Sequence, residues 1–364
     1  MNRFPYLLIT ILAFSFTLAA QKIEKPTLTP KPITEQQRAV IQDGIALHDK
    51  KDFAGAIAKY DQVLSENPDS TLALYELALS YYAKGDKDKA IETAVKGSKY
   101  RADELPLFYG IIANVIDDVG KPDEAIKIYR DAIQLIKNDK EFERHLSSLY
   151  YNLGVTYSRQ RKYVEARAEL KKAVEFNYSY ASPHYLLSEV FSGTKYKVPA
   201  MLAAARFVTL EYNTRRTTRS AQVFVAGLDG AKKDDKTGNI NIFLDLNAPK
   251  DEGDFGMYDL ILATLVTVKD EKDKNRSKGE IFADAVDSLI AMLSEDKKLK
   301  NTFVGRYYVT YLADLKKNGH TPALSYLMLR QAGGNPEAEK WTELNMDKVM
   351  ALINWAKTYP SPQK

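Results

Sequence analysis

Two short motifs in this sequence have residue types and spacings that could do chemistry. Ser294 and Lys297 stand three residues apart, the spacing in which a lysine can activate a serine nucleophile. Asp254, Phe255 and Gly256 spell a triplet that holds magnesium in phosphoryl-transfer enzymes. Neither motif has the companion elements that its chemistry needs, and no glycine-rich phosphate loop is present. We therefore expect both matches to be coincidental.

Carboxylates and histidines supply the other candidates for catalysis or metal binding. Four acidic residues gather in one predicted loop, where they could bind calcium weakly or serve a hydrolase, although their spacing is not that of an EF-hand. They are Asp245, Asp251, Glu252 and Asp254. We expect solvated loop carboxylates there. The four histidines show no metal-ligand spacing, and the sequence predicts no catalytic residue, no metal site and no cofactor.

Composition narrows the classes of protein further. The chain has 364 residues, of which 45% are hydrophobic and 27% are charged, so it should fold. The absence of cysteine excludes disulfides, thiol nucleophiles, cysteine zinc sites and a lipid tether on an N-terminal cysteine. A formal net charge of +4 gives no general case for nucleic-acid binding.

The first 35 residues read as a targeting segment and a linker. Residues 1–20 carry one charge, Arg3, then an apolar run that ends in small residues, which is typical of a secretory signal peptide cleaved after Ala19 or Ala20. An uncleaved membrane anchor is the alternative. Residues 21–35 contain three prolines and should form an extended linker, or equally a disordered tail. We expect a periplasmic or secreted protein without stable membrane insertion after cleavage.

A repeated pattern organises residues 36–212. Five units begin near Gln37, Thr71, Pro106, Ser147 and Ala181, spaced 34, 35, 41 and 34 residues apart. A small residue at the eighth position and an alanine at the twentieth would let two antiparallel helices approach closely. The eighth-position residues are Gly44, Ala78, Ala113, Gly154 and Ser188. The seven extra residues at 140–146 should lengthen the second helix of the third unit or the loop after it.

The fragments "YNLGVTYSRQRKYVEARAELKKAVEFN" and "YELALSYYAKGDKDKAIETAVKGSKY" resemble the tetratricopeptide repeat (TPR) family, whose unit has 34 residues. The resemblance implies an all-α fold, a right-handed superhelix of stacked helix-turn-helix units. Signal peptide and repeats together resemble exported repeat proteins of bacteria with a double-membrane envelope. Each unit needs its neighbours to bury its apolar face, so the array should fold as a stack.

Residues 213–364 should form a helical C-terminal region with a short β insertion. Asn239 to Asp245 is the strand candidate, and Phe255 to Lys269 should be a helix buried on all sides. Leu299–Lys317 and Thr321–Gln331 fit a degenerate sixth repeat, and Asp347 to Thr358 should cap the array. Three arginines at 215, 216 and 219 could hold an anion, but a solvated helix face is the preferred reading.

The resemblance also implies where a partner binds, because the first helix of each unit lines a concave groove in this family. The groove residues that we predict to bind a partner are Tyr75, Tyr82, Asn114, Tyr151, Asn152 and Tyr185. Tyrosine combines a large ring with a polar tip, which suits recognition, and asparagine can bond an extended peptide backbone. Equally, the tyrosines could pack between units. Ile41, Ile45, Leu72 and Glu76 stand where family members that bind C-terminal carboxylates carry a polar clamp, so that ligand is not expected.

These features predict a non-enzymatic scaffold that binds an unidentified protein or peptide in the cell envelope or outside the cytoplasm. One alternative is an envelope hydrolase with a site in the C-terminal region near residues 245–254. Another is a structural subunit of an envelope complex that uses the convex face.

Overall fold

The computed structural model describes residues 23–228, 231–233, 240–242, 250–265 and 275–362. Ten helices form five antiparallel pairs over residues 35–210, and the first helix of each pair contains one of the predicted unit starts. The pairs are α1 (Glu35–Asp49) and α2 (Phe53–Glu66), α3 (Thr71–Lys84) and α4 (Lys87–Gly97), α5 (Leu105–Asp118) and α6 (Pro122–Ile136), α7 (Glu143–Arg159) and α8 (Tyr163–Phe176), α9 (Ala181–Gly193) and α10 (Lys197–Leu210). Each helix packs on the next, and the first helices of successive units also contact one another. The helical repeats are confirmed; the right-handed sense of the superhelix stays a prediction.

The turn inside each pair has the same backbone design in all five units. One residue adopts a left-handed conformation, always at the fifteenth position counted from the unit start. These residues are Lys51, Gly85, Gly120, Arg161 and Lys195, with φ of 64°, 89°, 83°, 59° and 66°. Glycine adopts this conformation freely, whereas other residues are strained by about 1–2 kcal/mol. The constant position shows that one supersecondary unit is repeated, although its turn residue varies.

Close approach of the two helices depends on the eighth position, as the repeat pattern predicts. A Cβ atom added at Gly44 would lie 2.5 Å from Cε1 of Tyr60, and one at Gly154 would lie 2.8 Å from Cγ of Leu170. Both distances are shorter than van der Waals contact allows. A large side chain of the second helix therefore fills the space that the missing Cβ leaves.

The seven extra residues between the third and fourth units do not lengthen the second helix of the third unit, which ends at Ile136. They form a 3-10 turn, Lys140–Phe142, and the first turn of α7. Phe142 is buried, and the guanidinium of Arg101 lies 5.3 Å from its ring centroid. The insertion thus extends the first helix of the fourth unit, and burial of Phe142 fixes it in place.

Residues 23–34, which lie within the predicted linker, pack along the array instead of forming a free spacer. We call them the N-terminal strap. The amides of Thr27 and Leu28 donate to the carbonyl of Lys99, and the amide of Arg101 donates to the carbonyl of Leu28 at 2.8 Å. The Tyr109 hydroxyl donates to the carbonyl of Glu24. The strap therefore crosses the junction between the second and third units.

Seven more helices follow the fifth pair in the described part of the chain. They are α11 (Arg215–Leu228), α12 (Gly256–Leu265), α13 (Lys278–Glu295), α14 (Thr310–Lys317), α15 (Thr321–Ala332), α16 (Pro336–Leu344) and α17 (Met346–Thr358). A π-helical turn, Gly305–Val309, leads into α14. Helix α11 starts 34 residues after α9 and contacts both α9 and α10, so it stacks as the first helix of a sixth unit.

The predicted sixth repeat is wrong in its pairing. Helices α14 and α15 are consecutive, but α15 packs mainly against α11, and it also contacts α16 and α13. Thus α15 occupies the place of a second helix for α11, across a long insertion. A hairpin that closes over about 90 residues cannot be recognised from a 34-residue period, since the period is interrupted between its two helices.

Helix α10 joins the array to the C-terminal region, and α9, α11, α15 and α17 surround it. Twelve of its 14 residues are buried, including Arg206. The Arg206 guanidinium donates to the carbonyl of Ala356 at 2.8 Å and to that of Tyr178 at 3.3 Å, and lies 4.2 Å from the Tyr178 ring centroid. A carbonyl in the last turn of α17, a carbonyl of the turn after α8 and aromatic faces therefore stabilise this buried cation.

His184 belongs to the same core, as its position in the fifth unit predicts. Its Nε2 atom donates to the carbonyl of Tyr178 at 2.9 Å, which leaves Nδ1 to accept from the Tyr308 hydroxyl at 3.0 Å. Burial, and then the nearby Arg206, lower the pKa of His184 to about 3. The imidazole is therefore a neutral packing residue.

The sequence predicts two elements within residues 231–269, a short β insertion and a buried helix. Ala231–Lys233 pairs with Ile240–Ile242 in an antiparallel bridge of three residues each, while the rest of the candidate strand lies outside the described residues; a β insertion in this helical protein stays a prediction. Helix α12 is not buried on all sides, since Met257 is 68% exposed and Leu260 is 38% exposed. Among the described residues, no helix has the length and apolarity needed to cross a membrane.

Candidate binding groove

The six predicted groove residues all lie on first helices, and all six are half-buried. Helix α3 carries Tyr75 and Tyr82, α5 carries Asn114, α7 carries Tyr151 and Asn152, and α9 carries Tyr185. Because these helices contact one another side by side, the residues form a row along one face of the array. We call this face, from α1 to α11, the groove; that it is concave and binds a partner stays a prediction.

A charged network links the middle units across the groove. The Tyr82 hydroxyl donates to Asp118 at 2.5 Å, and Arg159 donates to Asp117 at 2.9 Å and to Asp118 at 3.1 Å. The Thr156 hydroxyl also donates to Asp117, at 3.0 Å. Burial, and then the hydrogen bond to Asp118, raise the pKa of Tyr82, so it stays a neutral donor. Arg159 thus pairs with both aspartates within the chain.

Asn114 has a structural partner as well as a place in the groove. Its side-chain oxygen accepts from the Tyr129 hydroxyl at 2.5 Å, and Tyr129 is fully buried. Burial raises the pKa of Tyr129 well above its ordinary value. The Asn114 carbonyl oxygen is therefore engaged, and only its amide group could bond a peptide backbone.

The tyrosines at either end are held by aromatic contacts. Tyr75 lies edge-on to Phe108 with ring centroids 6.2 Å apart, and Tyr151 lies edge-on to Tyr180 at 5.4 Å. Tyr185 packs on Phe207 at 5.2 Å. The packing interpretation is thus confirmed for these three rings, and the surface that each keeps exposed leaves partner binding as a prediction.

Helix α11 adds cations to the groove that the sequence analysis did not place there. Arg216 lies 5.3 Å from the Tyr185 ring centroid, donates to Ser182 at 3.1 Å and pairs with Glu211. Arg219 pairs with Glu189 at 3.3 Å. The prediction of a solvated face on α11 is incomplete, because Arg216 and Arg219 both form ion pairs with glutamates. The 34-residue step from α9 to α11 was the signal that could have placed them.

The first two units form an acidic end. Glu76 on α3 is half-buried, and burial, then the charges of Asp49 and Glu104, raise its pKa to about 7. Beside it, Nδ1 of His48 and Oγ of Ser80 are 2.7 Å apart. Within the described part of the chain, the groove therefore changes from carboxylates without a cationic partner at one end to paired arginines at the other.

The expectation of solvated carboxylates in the acidic loop of the C-terminal region holds for Asp251 and Asp254, which are exposed, and is wrong for Glu252, which is buried. Glu252 is only 3% exposed, accepts from Lys171 at 2.8 Å and pairs with Arg167 at 3.1 Å. Asp251 accepts from Arg167 at 2.6 Å and also from the Tyr196 hydroxyl. The loop thus fastens the C-terminal region to α8, and each of its described carboxylates is engaged in an ion pair. Asp245 lies outside the described residues.

The short motifs have structural partners. Ser294 donates to the carbonyl of Ile290 at 2.5 Å at the end of α13, and Lys297 is exposed. Asp254 pairs with Lys250 and accepts from the amide of Gly256, and these two contacts lower its pKa. Within the described ranges, no group of three or more acidic or histidine side chains could hold a metal ion.

Comparison with known proteins gives two family matches. Models of the tetratricopeptide repeat match residues 47–115 and residues 147–180. No curated protein matches the chain. Proteins of this repeat type bind peptide or protein partners and are generally non-enzymatic scaffolds.

Solved structures of repeat proteins are similar over half of the chain or more. PilF of Pseudomonas aeruginosa has 17% identity and a TM-score of 0.45, covering 54% of this chain and 84% of PilF. PilW, described as a widely conserved type IV pilus biogenesis factor, has 13% identity and a TM-score of 0.44, covering 74% of this chain and 98% of PilW. A thermophilic TPR protein of Thermus thermophilus has 17% identity and a TM-score of 0.44, covering 52% of this chain and 99% of its own.

Proposed function

We propose that this chain, a tetratricopeptide repeat protein, is a scaffold that binds a segment of another protein along its groove. One observation carries the proposal: Tyr75, Tyr82, Tyr151 and Tyr185 lie on the first helices α3, α7 and α9, each held by a defined contact and each partly exposed. Rings that are already fixed lose little conformational entropy when a partner binds. Such a row is therefore suited to recognition of an extended or helical segment.

We place the scaffold in the cell envelope or outside the cytoplasm. The support is the sequence of residues 1–20, a positively charged start followed by a short apolar run and small residues. Those residues lie outside the described part. The N-terminal sequence of the protein purified from its natural compartment tests the location, since a start at Ala20 or Gln21 would demonstrate cleavage and a start at Met1 would refute it.

The groove is tested by capturing the partner with two matched variants. Tyr150 and Tyr151 are neighbours on α7, both half-buried, but Tyr150 stacks on Phe176 of the second helix at 5.5 Å whereas Tyr151 contacts Tyr180. Tyr151→Ala should lower the partner's affinity at least fivefold. Tyr150→Ala removes a tyrosine ring that lies outside the groove, and it should leave the affinity within twofold of the wild type.

Far-UV circular dichroism must show the same helix content for both variants and the wild type. Quantitative mass spectrometry then measures how much of the partner is captured by each of the three proteins, the wild type, Tyr151→Ala and Tyr150→Ala. If Tyr151→Ala retains the partner as well as Tyr150→Ala does, the partner does not use the groove at this position and the proposal fails.

A further inference from the structure

The groove contains the same construction twice, once between the first two units and once between the third and fourth. Position for position, His48 corresponds to Asp117 and Asp49 to Asp118, at the twelfth and thirteenth positions of their units. His48 bonds to Ser80, and Asp117 bonds to Thr156; Ser80 and Thr156 are both tenth-position residues of the next unit. The two junctions therefore share one geometry of contacts between first helices.

The cation that completes the construction is present in only one junction. Between the third and fourth units, Arg159 at the thirteenth position binds Asp117 and Asp118. The corresponding residue between the first two units is Ala83, which is exposed on α3. The first junction thus has His48 and Asp49, with no arginine, at the place where the other junction has two aspartates and a guanidinium.

A buried hydroxyl in the first junction also lacks its partner. Tyr129 of the third unit donates to Asn114, but the corresponding residues of the first unit are Tyr60 and Ile45. Tyr60 is fully buried, and its hydroxyl has no hydrogen-bond partner among the described residues. Burial, and then the negative charge of Glu76, raise the pKa of this phenol. Ser80, the hydrogen-bond partner of His48, lowers the same pKa, so this hydroxyl faces the junction between the first two units.

The carboxylates of this junction have no cationic partner within the described part of the chain. Glu76 is half-buried and Asp49 is exposed at the end of α1; neither makes an ion pair or a side-chain hydrogen bond there. Glu104 of the third unit adds a third negative charge near Glu76. A half-buried carboxylate surrounded by like charges is destabilised, and a bound cation would reverse this.

We propose that the junction of the first two units binds an arginine side chain of the partner segment, held by Glu76 and Asp49 with the Tyr60 hydroxyl beside them. This inference rests on the proposed function, since it names the chemistry that one end of the groove recognises. The planar guanidinium carries five donors and suits two carboxylates, as Arg159 shows within the chain. The bound segment is therefore basic where it meets the first two units.

Fluorescence anisotropy with the full chain tests the inference, using two labelled ten-residue peptides in which alanine alternates with arginine or with glutamate. The arginine peptide should bind and the glutamate peptide should bind at least tenfold more weakly. Ala83→Arg supplies a guanidinium where Arg159 stands in the other junction. This guanidinium should occupy the site and lower the affinity for the arginine peptide at least tenfold. Glu76→Gln should weaken it at least fivefold.

Two control variants make the same kinds of substitution, Ala→Arg and Glu→Gln, on second helices outside the groove. Ala58→Arg on α2 and Glu92→Gln on α4 alter exposed residues and should leave the affinity within twofold. Equal binding of both peptides, or equal losses for Ala83→Arg and Ala58→Arg, would overturn the inference. A partner that Tyr151→Ala loses and Ala83→Arg retains would also overturn it, while leaving the proposed function intact.

Discussion

The ion pair between Glu252 and Arg167 should hold the C-terminal region on the repeat array. Arg167 has a side chain that is 6% exposed, and Glu252 is 3% exposed, so Glu252→Ala leaves a buried guanidinium with Asp251 as its remaining acidic partner. Breaking a buried pair from one side costs about 3–5 kcal/mol. Because Asp251 remains but is 58% exposed, we expect the low end of that range, about 3 kcal/mol of unfolding free energy.

A double-mutant cycle separates the pair from the loss of packing. Arg167→Met removes the cation, and the double variant leaves neither charge buried, so it should be less destabilised than the sum of the single variants by about 1.5–3 kcal/mol. Urea unfolding should be followed by far-UV circular dichroism and by fluorescence. Both tryptophans, Trp341 and Trp355, lie in the C-terminal helices α16 and α17, so fluorescence reports that region.

The control for this cycle is Asp254→Ala in the same loop. Its carboxylate is 56% exposed and pairs with an exposed Lys250, so the loss should stay below about 0.5 kcal/mol. Additive effects of Glu252→Ala and Arg167→Met, or a cost for Glu252→Ala no larger than that of Asp254→Ala, would refute the assignment of this pair as the fastening contact.

Three further predictions concern the array itself. Arg161→Gly relieves a left-handed residue in an exposed turn and should raise the urea midpoint by the equivalent of about 0.5–1 kcal/mol; an unchanged or lower midpoint would contradict this. Because the raised pKa of Glu76 favours its protonated form in the folded state, stability should fall as pH rises from about 4.5 to about 7. Glu76→Gln should then be more stable than the wild type at pH 8 and not at pH 4, and equal differences at both would be inconsistent with the shift. The amide of Arg101 donates to the strap, so removing residues 21–32 should make this amide exchange hydrogen faster. Exchange of the α9 amides should not change. Retained protection of the Arg101 amide would show that the strap is not bound there.

The sequence was most informative where one pattern repeats without interruption. The five helix pairs follow from small residues at the eighth and twentieth positions, and the short distances from Gly44 to Tyr60 and from Gly154 to Leu170 are the physical reason. Helix α10, with the sequence "KVPAMLAAARFVTL", is apolar on nearly every side, which predicts that it is buried. The repeat positions alone do not show this, because they concern only the face that packs on the first helix.

Contacts that join distant parts of the chain could not be predicted in the same way. The pairing of α11 with α15 crosses an insertion, and the partners of Glu252 lie on α8, more than 80 residues earlier. Charge alone suggested a solvated loop, because sequence does not show which cation a carboxylate meets. The paired states of Asn114 and Tyr82 were hidden for the same reason.

The groove itself is tested most directly by photo-crosslinking in cells that produce the protein. A benzophenone amino acid should replace Tyr82 or Tyr185 in the groove, and Ala58 or Val164 on the outer helices, where both residues are exposed. The account predicts that one partner is crosslinked from both groove positions and from neither outer position. Crosslinks to that partner from Ala58 and Val164 alone would contradict a concave binding face and would favour the convex one.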